Sequence, residues 1–233
     1  MNVRLHLVVE GQTEETYVNR VLVPHLADRE VWADVRVVET GRQKGLASRG
    51  GLREYRKLRD DLVRWMKQDD HPDVFFSTMI DLYGLQAVRG PFPGCDETKQ
   101  VRNPYEKVAG LEAAWARDID HPRFIPHIQL HEFETLLLAS PHNLQAVFAS
   151  QDAQIDQLVA MVTAFASPEL IDDGEQTSPS KRIIAKLPQY AGMKTSAGPI
   201  VAEKIGLEVL RTRCRHFAEW LSRLEALGTG NSL

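Results

Sequence analysis

Cysteine is scarce: Cys95 and Cys214 are the only two in 233 residues. They allow at most one disulfide, and neither belongs to a CxxC or a Cys/His cluster, which argues against a structural zinc site. Long apolar runs are missing too, since no stretch approaches the roughly 18 residues a membrane span needs. The N-terminus has no basic stretch followed by an apolar one. These absences predict a cytoplasmic protein without a membrane partner. There is no GxxxxGK[ST] loop, no GxGxxG after the first apolar run and no serine in a GxSxG elbow, so ATP hydrolysis, dinucleotide binding and serine-esterase chemistry are set aside. Position 135 is threonine, so His131-Glu132 fails the HExxH spacing of a zinc protease. No internal repeat or low-complexity tract occurs, and only the terminal GTGNSL has the composition of a disordered tail.

What remains is ordinary globular material, 43% hydrophobic and 26% charged, enough for one domain or one domain with an appendage. The net charge of −4 conceals two basic segments. Arg42 to Lys67 holds nine Lys/Arg against Glu54, Asp60 and Asp61, and Lys181 to Arg215 holds eight against Glu203 and Glu208. Each segment is net +6, which leaves −16 for the rest of the chain. Basic flanks around an acidic centre suit a protein that holds metal and receives phosphates; solvated helix faces would give the same count.

Four strand-like runs alternate with helical patterns: Val3 to Val9, Val35 to Val38, Val74 to Ile80 and Phe124 to Leu130. Between the second and third, Leu52, Tyr55, Leu58, Leu62 and Trp65 recur on one helical face; between the third and fourth, Val108, Leu111, Trp115 and Ile119 do the same. This alternation predicts an α/β fold with a mainly parallel sheet flanked by helices over residues 1–140. Beyond that the strand signal disappears, and 141–233 is expected to be a C-terminal helical appendage packed on the sheet. Within it, Ala153 to Phe165 and the run from Leu207 to Leu224 are the clearest helices. Pro24 should kink or end the first helix, for which Thr13 is the expected N-cap. Thr40 to Gly51 and Gly84 to Asn103, rich in glycine or proline, are expected to be surface loops.

Carboxylates recur where these strands end. Glu10 follows the first strand and precedes Gly11, with Glu14 four positions on; Asp81 follows the third; Glu132 and Glu134 follow the fourth. In an open parallel sheet that edge is where ligands bind, and hard cations such as Mg²⁺ take oxygen ligands of this kind. Each acid also has a plain explanation. Glu14 and Glu15 would offset a helix dipole, Asp81 would form a turn, and His131-Glu132 would cap the helix beginning near Phe133. Alternation sends Glu132 and Glu134 to one face without deciding which of them reaches the site. Further on, Ser178-Pro179 opens a helix whose first turn carries Lys181 and Arg182, a site for an anion held by backbone N–H groups, or simply a solvated turn.

The acidic residues after successive strands resemble the Toprim domain, the metal-binding catalytic module of topoisomerases, primases and the overcoming-lysogenization-defect nucleases. The segments VEGQTEETYV, TMIDLYGL, PRFIPHIQLHEFETLLL, SPELIDDGEQTSPSKRI and RCRHFAEWL are similar to an uncharacterised bacterial family regarded as Toprim-like, found in some genomes beside ATPase genes of anti-phage type. The Toprim likeness covers about the first 140 residues. It implies a Mg²⁺- or Mn²⁺-dependent nuclease with Glu10, Asp81 and Glu134 at the catalytic centre, and Glu10, Glu14, Asp81 and Glu132 as metal ligands. Lys181 and Arg182 would bind phosphate. Nucleic acid, an ATPase subunit and a second copy of the chain are the implied partners. The chain departs from the Toprim Asp-x-Asp pattern at Asp81-Leu82-Tyr83, so one ligand is missing unless Glu132 or Glu134 replaces it. A catalytically silent binding module is the alternative that this departure leaves open.

Overall fold

The computed structural model describes residues 3–43, 46–49, 54–86, 91–171, 174 and 176–229. Strand β1 (Val3–Val9) is buried along nearly its whole length and therefore belongs in the middle of a sheet. It lies between β2 (Val31–Val37) and β5 (Val74–Asp81), parallel to both. β2, at the sheet edge, alternates buried and open positions. The short strands β6 (Phe124–Ile125) and β7 (Ile128–Gln129) extend the sheet beyond β5, again parallel. The expected fourth strand is thus two fragments, because Pro126 cannot donate to the ladder between them. Between β2 and β5, β3 (Glu39–Gln43) and β4 (Leu46–Arg49) pair antiparallel, where an irregular surface loop was expected. Residues 44, 45 and 50–53 of that basic segment lie outside the described residues, as do 87–90 of the second expected loop and the GNSL end of the tail.

Alternation along β1 divides the molecule into two cores. Val3, Leu5, Leu7 and Val9 point into one; Val8 points into the other, where His6 packs on Trp65. The second core is covered by α3 (Tyr55–Gln68) and, after α4 (Leu82–Gln86) and α5 (Cys95–Thr98), by α6 (Pro104–Ile119). Asn103 caps α6 by accepting from the N–H groups of Tyr105 and Glu106, with Pro104 at the first helical position.

The first core begins with α1 (Gln12–Tyr17), a π-helical turn (Val18–Leu22) and α2 (Val23–Ala27). Pro24 does not end this helix. The wider π turn lies directly before it, where a proline ring would clash with the carbonyl four residues back. The N-cap is Gly11 rather than Thr13. The rest of this core comes from the other end of the chain: α7 (Glu134–Leu137), α8 (Asp152–Val162), α9 (Pro179–Lys186), α10 (Lys194–Ile205), α11 (Leu207–Arg213) and α12 (Arg215–Ala226). Residues beyond 140 therefore share one hydrophobic core with β1. Both cysteines are free, and among the described residues no helix is long and apolar enough to cross a membrane.

The long terminal helix expected from Leu207 onward is interrupted at Cys214. The new helix start is met by a buried acid, because Glu169 accepts hydrogen bonds from the N–H groups of His216 (3.0 Å) and Phe217 (3.1 Å). A carboxylate there satisfies two donors that a helix cannot satisfy itself and sits against the positive end of its dipole. Replacing Glu169 with alanine should destabilise the fold by about 2 kcal/mol. In thermal unfolding followed by circular dichroism, Tm should drop by roughly 5 °C.

Candidate metal centre

β1 and β5 end side by side. In their register Val9 pairs with Met79, so Glu10 and Asp81 leave the sheet at neighbouring points of one edge. The Glu10 carboxylate accepts from the Asp81 backbone N–H at 3.1 Å. Gly84, just after β5, makes room for it: a Cβ on that residue would lie 2.7 Å from Glu10 Oε2 and 2.9 Å from Oε1. Glu14 is buried at the start of α1, and hydrogen bonds from the backbone of Gly11 and of Glu14 itself reach its carboxylate. The carboxylate lies against the N-cap, Gly11, where a Cβ would be 3.2 Å from Glu14 Oε2.

Glu132 and Glu134 arrive from the loop after β7. The strand has ended at Gln129, and His131 turns with a φ of 63°, so simple alternation no longer governs the side chains. Both glutamates are buried, and each has its own anchor. Glu132 accepts from Ser180 N–H at 2.5 Å and from Ser180 Oγ at 3.0 Å. Glu134 accepts from the Tyr190 hydroxyl at 3.2 Å and lies 3.1 Å from Lys194 Nζ. His131 is directed elsewhere, its Nε2 lying 2.9 Å from the Glu169 carbonyl.

The structure therefore brings Glu10, Glu14, Asp81, Glu132 and Glu134 into one electrostatic neighbourhood. Burial, followed by repulsion from Glu14, Glu10, Glu134 and Glu132, pushes the Asp81 carboxyl well above the usual carboxylate range. Burial raises Glu14 to about 7, with repulsion from Glu10 and Glu134 adding to it. Glu134 is raised by burial and by Glu132, while Lys194 pulls the other way. Asp81 Oδ1 is buried without a hydrogen-bond partner. An all-oxygen donor set with one unpartnered buried oxygen fits a hard divalent cation.

Lys181 and Arg182 have different surroundings. Lys181 is exposed on α9, next to the serine that holds Glu132. Arg182 donates to the Thr177 carbonyl at 2.6 Å and lies over the Phe165 ring at 5.6 Å. The anion at the start of α9 is the chain's own Glu132, so that helix end needs no outside ligand to explain it. Tyr83 is exposed and contributes its backbone N–H to the His131 carbonyl at 2.8 Å. Sequence reasoning missed Gly84, Ser180, Tyr190 and Lys194. Gly84 alone left a local sign, being a glycine three residues after the strand-end acid.

A second group escaped notice because its members are far apart in sequence. Among the described residues, the one set of three His, Cys, Asp or Glu side chains whose ligand atoms all lie within 4.8 Å of one another is Glu112, His127 and His216. The acidic residues of the strand-end site do not form such a set.

Two outcomes follow from the acidic edge. Below about pH 4.5 Glu14 is protonated in folded and unfolded chains alike, whereas between there and about 7 only the unfolded chain ionises readily. Cation-free protein should therefore lose stability as pH rises through that window, and Glu14→Gln should flatten the Tm-against-pH curve. Gly84→Ala should displace the Glu10 carboxylate and weaken Mn²⁺ binding by roughly tenfold or more in calorimetric titration, while Tm stays within a few degrees of wild type.

Comparison with known proteins adds a family. None of the curated proteins matches the chain. Among solved structures, the C-terminal region of the Burkholderia pseudomallei OLD protein aligns over 97% of this chain and 100% of its own, with 13% identity and a TM-score of 0.43. A family profile matches residues 9–225, and the chain accordingly belongs to the family described as Domain of unknown function, DUF4276.

Proposed function

We propose that the protein is a divalent-metal-dependent nuclease whose centre is the acidic edge formed by Glu10, Glu14, Asp81, Glu132 and Glu134. The observation that carries this reading is the buried Asp81 Oδ1, left without a hydrogen bond amid four other carboxylates. Glu10 and Asp81 would be the principal ligands of Mg²⁺ or Mn²⁺, completed by Glu14 and by Glu132 or Glu134. A cation held there would activate water and neutralise charge on a scissile phosphate.

The chain's own groups prepare that edge. The Asp81 N–H and the absence of a side chain at Gly84 fix where the Glu10 carboxylate can lie. Ser180 holds Glu132, and Tyr190 with Lys194 holds Glu134. Lys194 and Lys181 are partly or fully exposed cations beside these acids, suited to contacting phosphates of the backbone without reading sequence. Arg182 would assist by ordering the first turn of α9. An ATPase subunit and a role in defence against phage rest on the family resemblance alone.

A catalytically silent Toprim-like binding module is the second reading, favoured by Tyr83, whose exposed side chain stands where the Toprim pattern has its second Asp. One experiment separates the two: supercoiled DNA, single-stranded DNA and RNA are incubated with the protein in Mn²⁺ or Mg²⁺ beside Glu10→Ala and Asp81→Ala. Wild-type protein should cleave at least one substrate, and each variant should lose about 100-fold or more of the rate. Cleavage that survives both substitutions rejects the nuclease reading, and absent Mn²⁺ binding in calorimetry favours the silent module.

A further inference from the structure

Glu112 on α6, His127 between β6 and β7, and His216 in the first turn of α12 meet at the wall of a pocket of about 430 Å³. The pocket is also lined by Tyr105, Trp220 and Arg223. The carboxylate is oriented before any ligand arrives: Glu112 Oε1 accepts from the Ile128 N–H at 2.7 Å and lies 2.9 Å from His216 Nε2. His127 Nδ1 stands 3.7 Å from the same oxygen. The two imidazoles are stacked with centroids 4.8 Å apart, and the Trp220 ring closes the other side of His127 at 4.2 Å.

His127 is 1% exposed, and the ring nitrogen it turns toward Glu112 is Nδ1, while the Gln129 side chain interacts with the ring as well. Nδ1, the carboxylate of Glu112 and the His216 imidazole thus turn toward a common point.

We propose that Glu112, His127 and His216 form a second metal site, distinct from the acidic edge, that takes a borderline transition cation of the zinc class. Two imidazoles and one carboxylate match the preference of Zn²⁺ or Co²⁺, whereas Mg²⁺ takes oxygen ligands. Three protein ligands leave one tetrahedral position for a solvent molecule on the pocket side. The site would tie together α6, the β6–β7 junction and α12, elements separated by up to 104 residues in the chain.

Tag-free protein, stripped with chelator and dialysed, is titrated with Co²⁺ and followed by visible absorption; Zn²⁺ uptake is measured by equilibrium dialysis with elemental analysis. One equivalent of each metal should bind, Co²⁺ should give the intense ligand-field bands of a tetrahedral ion, and Zn²⁺ should displace it. His127→Gln, His216→Gln and Glu112→Gln should each weaken Zn²⁺ binding at least 100-fold, whereas a Glu10→Gln/Asp81→Asn double variant should retain it. Wild-type protein that takes up no stoichiometric Zn²⁺ at micromolar concentration, or shows no tetrahedral Co²⁺ spectrum, overturns the proposal whatever the variants' folding. So does binding that survives the three substitutions, or that disappears with Glu10 and Asp81. Because Mn²⁺ binding at the acidic edge is measured separately, failure here leaves the nuclease reading standing.

Discussion

Burying several carboxylates beside one another is the constraint around which the rest of this chain is arranged. Two like charges about 4 Å apart repel by about 4 kcal/mol at an effective dielectric constant near 20, so such a group persists only where it is held from behind. Each acid here is held differently. Glu10 takes the N–H of Asp81, Glu14 the backbone of its own helix start, Glu132 the amide and hydroxyl of Ser180, and Glu134 the tyrosine that precedes α10 and the lysine that opens it. Even so, burial and mutual repulsion keep the carboxyls of Glu14, Asp81 and Glu134 raised. Stability given up at such a place is the usual mark of a site organised for binding.

That constraint explains why the helical half cannot be regarded as ornament. Ser180, Tyr190 and Lys194 all lie beyond residue 140, and they support acids that arrive from the sheet. The same residues belong to helices packed in the core that holds Leu5, Leu7 and Val9 of β1. A second acid, Glu169, performs the corresponding service for α12 and so fixes where His216 stands. Polar support for the acids of the sheet therefore comes from the part of the chain beyond residue 140, which also shares its core with β1.

Much of the sheet could be read directly from the sequence. β1 spans the residues its apolar run indicated, and α6 carries the apolar face that Val108, Leu111, Trp115 and Ile119 indicated, because burial there is decided by nearby residues. The failures have a common cause in partners that lie far away. Leu207 to Leu224 has unbroken helical spacing, yet the helix breaks at Cys214 where Glu169 supplies a new cap. The capping position is Gly11 rather than Thr13, and the Glu14 carboxylate lies against it. The acids at strand ends were recognisable since topology alone gathers strand ends. Glu112, His127 and His216 were not, because nothing in their spacing foretells that α6 and α12 flank the same junction.

The attachment of α9 carries a mechanical consequence. Glu132 gives one oxygen to the Ser180 amide and the other to its hydroxyl, so that both of its acceptor atoms face the helix. Each of those oxygens keeps a second lone pair, so a cation beside Asp81 could share the carboxylate without releasing Ser180. Glu132 would then join the sheet edge to the first turn of α9, and with it to Lys181 at the surface, as a single bridge with one end on the ion and the other on the helix.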